Sequence, residues 1–287
     1  MDAGLILLAS RQQQSRERSS ALKDLDWRIQ NHPSTVDHMT FDMTGSTALV
    51  TGSTSGIGAA IATTLADHGA HVLVCGRDER RGDDVVSGIR TTGGHADFLH
   101  AELSDAESAR ELAARARHAA NGVIDILVNN AAIGALSPTA TFPEDDFDAV
   151  IAINLKVPFY LVSELAPMMA AHGRGAIVNI SSMAGQFALP GMSVYGATKA
   201  GLLLLTKSWA AEYGPQGVRV NAVIPGPTRT SGSAALGDAL DQLAAQAPAG
   251  RVADPKEIAA AVAYLASNSA SFIHGASLSV DGGRTAV

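Results

Sequence analysis

The stretch that decides the fold reads Ala48-Leu49-Val50-Thr51-Gly52-Ser53-Thr54-Ser55-Gly56-Ile57-Gly58. It ends an apolar run typical of a buried strand and opens a segment of helical period. Gly52 permits a tight turn, Gly56 lets the backbone approach a pyrophosphate, and Gly58 lets the helix pack closely on the strand. The first N–H groups and the positive dipole end of that helix favour phosphate. The turn predicts a dinucleotide site, although glycine-rich turns of this kind also occur without a ligand.

Beyond this turn, apolar runs rich in Val and Ile alternate with longer segments of helical period. The predicted strands are residues 47–51, 71–75, 96–100, 124–128, 175–180, 218–223 and 277–280. The predicted helices are residues 56–68, 79–91, 105–119, 145–171, 193–213 and 255–267. Wholly apolar strands separated by helices indicate a parallel sheet covered on both faces. We therefore expect an α/β fold, a doubly wound parallel sheet with its ligand at the carboxyl ends of the strands.

Composition narrows the range of functions. The 287 residues are 46% apolar and 17% charged, with a formal net charge of −7, which predicts a folded domain with a sizeable core. The acidity argues against a nucleic-acid partner, and no uninterrupted apolar run has the length of a membrane span. The single cysteine, Cys75, cannot form an intramolecular disulfide, so a cytoplasmic location is compatible. We expect no membrane partner and no metal site.

The end of the second predicted strand should meet the adenosine ribose of a bound dinucleotide, where an acidic residue favours NAD and a basic residue favours NADP. The chain reads Val74-Cys75-Gly76-Arg77-Asp78 there. A guanidinium can bind a phosphate through two N–H groups, so Arg77 favours NADP(H), with NAD(H) as the alternative. Arg77 could instead be a solvated surface charge or pair with Asp78, whose carboxylate opposes a phosphate.

A second polar cluster follows the fifth predicted strand. Ser182 ends that strand, and Tyr195 and Lys199 lie four residues apart, on one face of a long helix. Reduction of a ketone needs a hydride on carbon and a proton on oxygen. A tyrosine hydroxyl can supply the proton, a nearby ammonium lowers its pKa, and a serine can hold the substrate oxygen. Taken singly, each residue also has an ordinary role: tyrosine in packing, lysine in solvent and serine as a helix cap.

Several motifs in order make the chain from about residue 44 to 284 resemble the short-chain dehydrogenase/reductase family. The matching motifs are Thr51-Gly-Ser-Thr-Ser-Gly-Ile-Gly58, Asn129-Asn-Ala-Ala132, Asn154, Ser182, Tyr195-x-x-x-Lys199, Pro225-Gly226 and Asp281-Gly282-Gly283. The resemblance implies a single Rossmann-like domain of about seven strands. It also implies a catalytic tetrad, formed by Asn154, Ser182, Tyr195 and Lys199. Asn154 would bind a water that links Lys199 to solvent, or it could simply stabilise the local backbone.

The resemblance further implies the cofactor contacts. Besides Tyr195 and Lys199, these are Gly52, Ser53, Ser55, Gly56, Ile57, Gly58, Arg77, Glu102, Leu103, Asn129, Ala131, Pro225, Gly226, Thr228 and Thr230. Thr228 and Thr230 would touch the carboxamide end of the nicotinamide. Three positions depart from the family pattern. Ala132 replaces a glycine, Glu102 replaces an aspartate, and Ser55 stands where many NADP-preferring relatives carry Arg or Lys.

The substrate pocket is expected to be mostly apolar, which suits a small or medium-sized ketone or secondary alcohol. Its expected lining is Met183, Gln186, Ala188, Leu189, Met192 and the segment 227–247, which would act as a lid. The residues expected to contact the substrate are Ser182, Gln186, Met192 and Tyr195. We interpret residues 1–42 as an amino-terminal extension, partly helical over 19–30 or poorly ordered, and residues 43–287 as the dinucleotide-binding catalytic domain.

Two other functions stay open. The first is reduction of 3-oxoacyl groups on an acyl carrier protein, an acidic partner that needs basic docking residues. Residues 164–171 and 214–217, where relatives place those residues, contain no Lys or Arg. The second is a non-catalytic NADP-binding sensor, which would have no need of Tyr195 beside Lys199. The resemblance also implies a homotetramer or homodimer, assembled through the predicted helices 145–171 and 193–213.

Overall fold

The computed structural model describes residues 41–287, so most of the predicted extension, with its helix at 19–30, lies outside the described residues. The strands are β1 Thr47–Val50, β2 His71–Gly76, β3 His95–His100, β4 Ile126–Asn129, β5 Gly175–Ile180, β6 Val218–Pro225 and β7 Ser277–Val280. The α-helices are α1 Gly56–Asp67, α2 Glu79–Thr91, α3 Ala106–Ala119, α4 Glu144–Ile151, α5 Val157–Ala171, α6 Ser193–Tyr213, α7 Asp238–Ala244 and α8 Pro255–Ala266.

The strands form one parallel sheet in the order β3-β2-β1-β4-β5-β6-β7, which confirms the predicted Rossmann-like α/β fold. The order reverses direction between β1 and β4, where Val50 of β1 lies opposite both Val74 and Val128. In open sheets of this type, ligands bind at the carboxyl ends of the strands on either side of that reversal. The glycine turn follows β1 at this point.

Helices cover both faces of the sheet, and the side chains of each strand alternate between two cores. Val50 of β1 packs in one core with Ile61 of α1 and Val262 of α8. The neighbouring Leu49 packs in the other with Leu112 of α3 and Leu161 of α5. Burial on both faces explains why the strands read as continuous apolar runs.

The predicted helix 145–171 is interrupted in the structure. A π-helical turn, Ala152–Lys156, joins α4 to α5, and the buried Asn154 lies within it. Such turns are rare and often mark functional sites. The segment Glu144–Ala171 is also long and apolar enough to cross a membrane, judged by length and composition alone. Leu165 and Met169 pack in the core beneath the sheet, which accounts for much of that apolar character.

Candidate active site

The predicted catalytic residues meet at the carboxyl end of β5. Ser182 is the second residue after this strand, and its hydroxyl accepts a hydrogen bond from the backbone N–H of Ala184 at 3.2 Å. A short 3-10 turn, Met183–Gly185, then redirects the chain towards α6. Because α6 begins at Ser193, Tyr195 and Lys199 lie in its first turns, on the side that faces β5.

Ser182 and Tyr195 are neighbours in the site. Burial raises the pKa of the Tyr195 phenol, and the nearby Ser182 side chain lowers it in part. The sequence instead predicted a lowered pKa because of Lys199, whose ammonium nitrogen lies 5.7 Å from the centre of the Tyr195 ring. In this structure burial is the largest influence on the pKa of the phenol, and it raises that pKa. Tyr195 is therefore held in the protonated form, which can give a proton to a carbonyl oxygen.

Lys199 lies almost entirely inside the protein, with 2% of its surface exposed. The Lys199 Nζ donates to the carbonyl oxygen of Ile180 at 2.9 Å, and the Ser181 hydroxyl donates to the carbonyl oxygen of Lys199 at 3.0 Å. Burial lowers the pKa of Lys199 to about 8, because the charged form loses hydration. Two bonds to the end of β5 thus hold α6 and its ammonium in place.

Asn154 joins three segments of the site. Its Oδ1 accepts from the backbone N–H of Ile133 at 2.9 Å, and its Nδ2 donates to the Ile133 carbonyl oxygen at 2.9 Å. The same Nδ2 donates to the Thr198 hydroxyl at 3.2 Å, and that hydroxyl donates to the Tyr195 carbonyl oxygen at 2.7 Å. Asn154 therefore holds the backbone after β4 against the catalytic turn of α6.

The glycine turn has the geometry that a phosphate needs. Gly52 has φ 64°, and a Cβ on Gly58 would lie 2.3 Å from the carbonyl oxygen of Gly52. Ser55 precedes α1 without a capping bond from its side chain, and the first turn of α1 contains no acidic residue. The N–H groups of that turn are thus open to an anion, so these residues fit a dinucleotide phosphate. Ile57 lies in the same turn.

Ser53 differs from its neighbours in the turn. It is buried, and its hydroxyl donates to the Val50 carbonyl oxygen at 2.6 Å and accepts from the Cys75 N–H at 2.8 Å. The Ser53 side chain thus bonds β1 to β2, and the predicted contact of this residue with a cofactor would have to come from its backbone.

A second hydrogen-bonded group supports the turn from β4. The Thr51 hydroxyl accepts from the N–H groups of Asn130 and Ala131, both at 3.0 Å, and the Asn130 amide donates to the carbonyl oxygens of Thr51 and Gly52. Asn129 is buried and donates to Asn179 at 2.8 Å, while its Oδ1 has no partner among residues 41–287. Our sequence reasoning gave no role to Thr51, which directly follows β1, or to Asn179, a polar residue within the otherwise apolar β5.

The adenosine end of the cleft is more open. Arg77 and Glu102 are exposed, and Leu103 is half-buried. Asp78 does not pair with Arg77, because it caps α2 by accepting from the Arg81 N–H at 3.0 Å and from the Arg81 Nε at 2.7 Å. The Asp78 carboxylate is therefore already neutralised by the Arg81 guanidinium.

The predicted lid begins where β6 ends at Pro225. The Gly226 N–H donates to the Val280 carbonyl oxygen at 3.1 Å, and the Thr228 hydroxyl donates to the Gly226 carbonyl oxygen at 3.0 Å. A Cβ on Gly56 would lie 3.1 Å from Thr230, so the start of the lid touches the glycine turn. The lid then contains α7, a helix that the sequence did not predict.

The predicted substrate contacts Gln186 and Met192 lie on the loop between Ser182 and Tyr195, with Gln186 exposed and Met192 half-buried. The structure thus brings the tetrad, the glycine turn, the ends of β4 and β6 and this loop to one edge of the sheet.

Comparison with known proteins agrees with this arrangement. A family model described as enoyl-(acyl carrier protein) reductase matches residues 52–285. The chain belongs to the short-chain dehydrogenase/reductase family. Like its relatives, this short-chain dehydrogenase/reductase is an oxidoreductase that acts on alcohols or ketones and uses a nicotinamide cofactor.

Three relatives illustrate the range of the family. A cis-4-hydroxycyclohexanecarboxylate dehydrogenase of Sinomonas cyclohexanicum is 43% identical over 84% of this chain and 96% of its own length. A 3-oxoacyl-(acyl-carrier-protein) reductase of Thermotoga maritima is 35% identical over 83% of this chain and 97% of its own. The structure of a gluconate 5-dehydrogenase from Burkholderia cenocepacia J2315, in complex with NADP and tartrate, has a TM-score of 0.81 and 35% identity, and covers 86% of this chain and 98% of its own.

Proposed function

We propose that this enzyme moves a hydride between NADP(H) and a small or medium-sized ketone or secondary alcohol, with Tyr195 as general acid and base. The observation that carries the proposal is that Tyr195 lies beside both Ser182 and the buried Lys199, whose Nζ is 5.7 Å from the centre of the Tyr195 ring. A tyrosine that only packs in the core or only faces solvent would not explain why a buried ammonium lies beside it.

Each residue has a distinct task. A bound nicotinamide supplies the hydride in reduction and accepts it in oxidation. Tyr195 gives its proton to the carbonyl oxygen, and Ser182 holds that oxygen through a hydrogen bond while negative charge develops. Lys199 stabilises the phenolate that results and can reach a ribose hydroxyl with its remaining N–H groups. Asn154 keeps the start of α6 in register with the backbone after β4. A water bound there would link Lys199 to solvent, so that Lys199 can pass a proton to the Tyr195 phenolate and take up another from solvent.

NADP(H) is the preferred cofactor in this proposal, with NAD(H) as the alternative. The exposed Arg77 supplies the positive charge for a 2′-phosphate, and Arg81 neutralises the Asp78 carboxylate that would otherwise repel it. No acidic side chain ends β2, since Gly76 is its last residue. The gluconate 5-dehydrogenase with bound NADP offers a parallel.

The substrate is a free small molecule in this proposal, as it is for the hydroxycyclohexanecarboxylate and gluconate dehydrogenases by name. The carrier-protein reductase is the second candidate, favoured by the relative from Thermotoga maritima. Residues 164–171, all of them in α5, contain no basic side chain for an acidic carrier. A homotetramer or homodimer is supported by Phe159 of α5 and Leu204 of α6, which are 44% and 66% exposed.

The decisive experiment replaces Tyr195 by Phe. Turnover of NADPH should fall by about a thousandfold or more, because the proton donor is lost. NADPH binding should stay within about twofold, since the phenol hydroxyl is a small part of that contact. The assay uses a panel of ketones together with a 3-oxoacyl carrier protein, and Tyr213→Phe on the far end of α6 is the matched control. Turnover with the carrier substrate equal to that with small ketones would favour the second candidate. If no turnover that Tyr195→Phe removes were found, the chain would be a non-catalytic NADP-binding sensor.

A further inference from the structure

The chain after β7 makes a tightly fixed turn next to the lid. Asp281 is buried, and its Oδ1 accepts from the Gly283 N–H at 2.9 Å. Its Oδ2 accepts from the Thr285 N–H at 2.8 Å and from the Thr285 hydroxyl at 2.6 Å. The Ala249 N–H, just beyond the lid, donates to the Gly282 carbonyl oxygen at 2.9 Å. These bonds fix the direction in which Arg284 leaves the turn.

Arg284 contacts both walls of the substrate region. Its Nη2 donates to Oε1 of Gln246, near the end of the lid segment 227–247, at 3.0 Å. Its guanidinium carbon lies 4.8 Å from the ring centre of Phe187, on the loop between Ser182 and Tyr195. A third contact, from Nη1 to the Val287 carbonyl oxygen, is longer at 3.5 Å. One side chain thus joins the lid to the loop that carries the predicted substrate contacts.

The contacts of Arg284 are not those of a residue that only stabilises the fold. Among residues 41–287, the ion pairs do not include Arg284. Its Nε is buried and has no hydrogen-bond partner within that range. A buried donor without a partner costs stability, so the turn alone does not explain an arginine here. Stacking on Phe187 and bonding to Gln246 are the favourable contacts that the position provides.

We infer that Arg284 is a positioning residue that clasps the lid to the Ser182 loop, so that tight substrate binding depends on it. The inference rests on the proposed function, because it concerns the same substrate region. Without the clasp, the lid must be ordered by the substrate alone, so affinity falls while the chemistry at Tyr195 stays intact.

The test uses Arg284→Met, which keeps much of the apolar stem but removes the donors, and Gln246→Ala, which removes the acceptor from the lid. Each variant should raise the KM for the best ketone about fivefold and leave kcat within about twofold, as expected for the loss of one hydrogen bond. Arg174→Met is the control, because Arg174 pairs with Asp125 at the opposite edge of the sheet. A merely structural role would lower the unfolding midpoint without this division between KM and kcat.

A second readout needs no turnover. Thermolysin cleaves before leucine, and Leu236 in the lid is 48% exposed. Loss of the clasp should speed cleavage there about fivefold in both variants, and the control should match the unchanged protein. Equal KM and equal cleavage rates would overturn the clasp. If Arg284→Met fails to fold, the exposed Gln246 variant decides alone. Absence of all NADPH turnover would overturn the proposed function, and the cleavage rates would still decide the clasp.

Discussion

The two ends of the proposed cofactor cleft are built differently. At the nicotinamide end, Asn154 and Lys199 are 0% and 2% exposed, and each is hydrogen-bonded to backbone groups of neighbouring elements. At the adenosine end, Arg77 and Glu102 are exposed. The strand β2, which immediately precedes Arg77, ends in a glycine. One end is held by packing and hydrogen bonds, and the other depends on surface charge.

The difference teaches where each property of the enzyme is determined. A buried polar group needs hydrogen-bond partners, so its contacts also stabilise the fold. Replacing such a group therefore disturbs stability and chemistry together. An exposed charge interacts through solvent and can be changed with little effect on the fold. We therefore expect large, coupled effects at the nicotinamide end and smaller, selective effects at the adenosine end.

Among the changes that probe this difference between the two ends, the largest effect is expected for Asn154→Leu. The change leaves the N–H and carbonyl groups of Ile133 without their partner, so the free energy of unfolding should fall by roughly 2–4 kcal/mol. Because α6 then loses its register with the backbone after β4, kcat should fall by about a hundredfold. Urea titration and steady-state kinetics measure the two losses.

The control for this change is Asn268→Leu, which alters an exposed asparagine. It should leave both quantities close to those of the unchanged protein. A drop in kcat without a drop in stability at Asn154 would contradict the coupling, and it would favour a role through a bound water alone.

An intermediate effect is expected from pH. The raised pKa of Tyr195 keeps the phenol protonated at neutral pH, so reduction of a ketone should be flat there and decline only in alkaline solution. Oxidation of the alcohol needs the deprotonated phenol, so its rate should rise roughly tenfold per pH unit below that pKa. Lys199 loses its charge above about pH 8 and then no longer stabilises the phenolate. The dependence of kcat/KM on pH, measured for ketone reduction and for alcohol oxidation, tests these expectations. Parallel pH profiles for the two reactions would contradict them.

The sequence predicted what local pattern determines. The strands and most helices follow from apolar periodicity, and the glycine turn predicts the site because Gly52 and Gly58 are needed by backbone geometry alone. The spacing of Tyr195 and Lys199 placed both on one face of α6. These features need no knowledge of distant contacts.

What escaped prediction depends on contacts between distant segments. The π-helical turn at Ala152–Lys156 places Asn154 against Ile133, a contact that no periodicity reveals. The pKa of Tyr195 rises because of burial, which the spacing of Tyr195 and Lys199 does not reveal. Arg284 follows a recognisable glycine pair, but its contacts with the lid exist only once β7 is in place.

The smallest effect, and the most selective one, is expected for Arg77→Ala. The KM for NADPH should rise about tenfold, as for the loss of one partly screened phosphate contact, while the KM for NADH changes by less than about twofold. The rise should shrink in high salt, because the contact is exposed. Arg80→Ala, which alters an exposed arginine paired with Asp84, is the control. Equal losses for the two cofactors would remove the phosphate role from Arg77, and they would leave the adenosine end without a charge that selects NADP. A fall in the free energy of unfolding as large as that of Asn154→Leu would contradict the difference between the two ends of the cleft, because an exposed charge would then contribute strongly to stability.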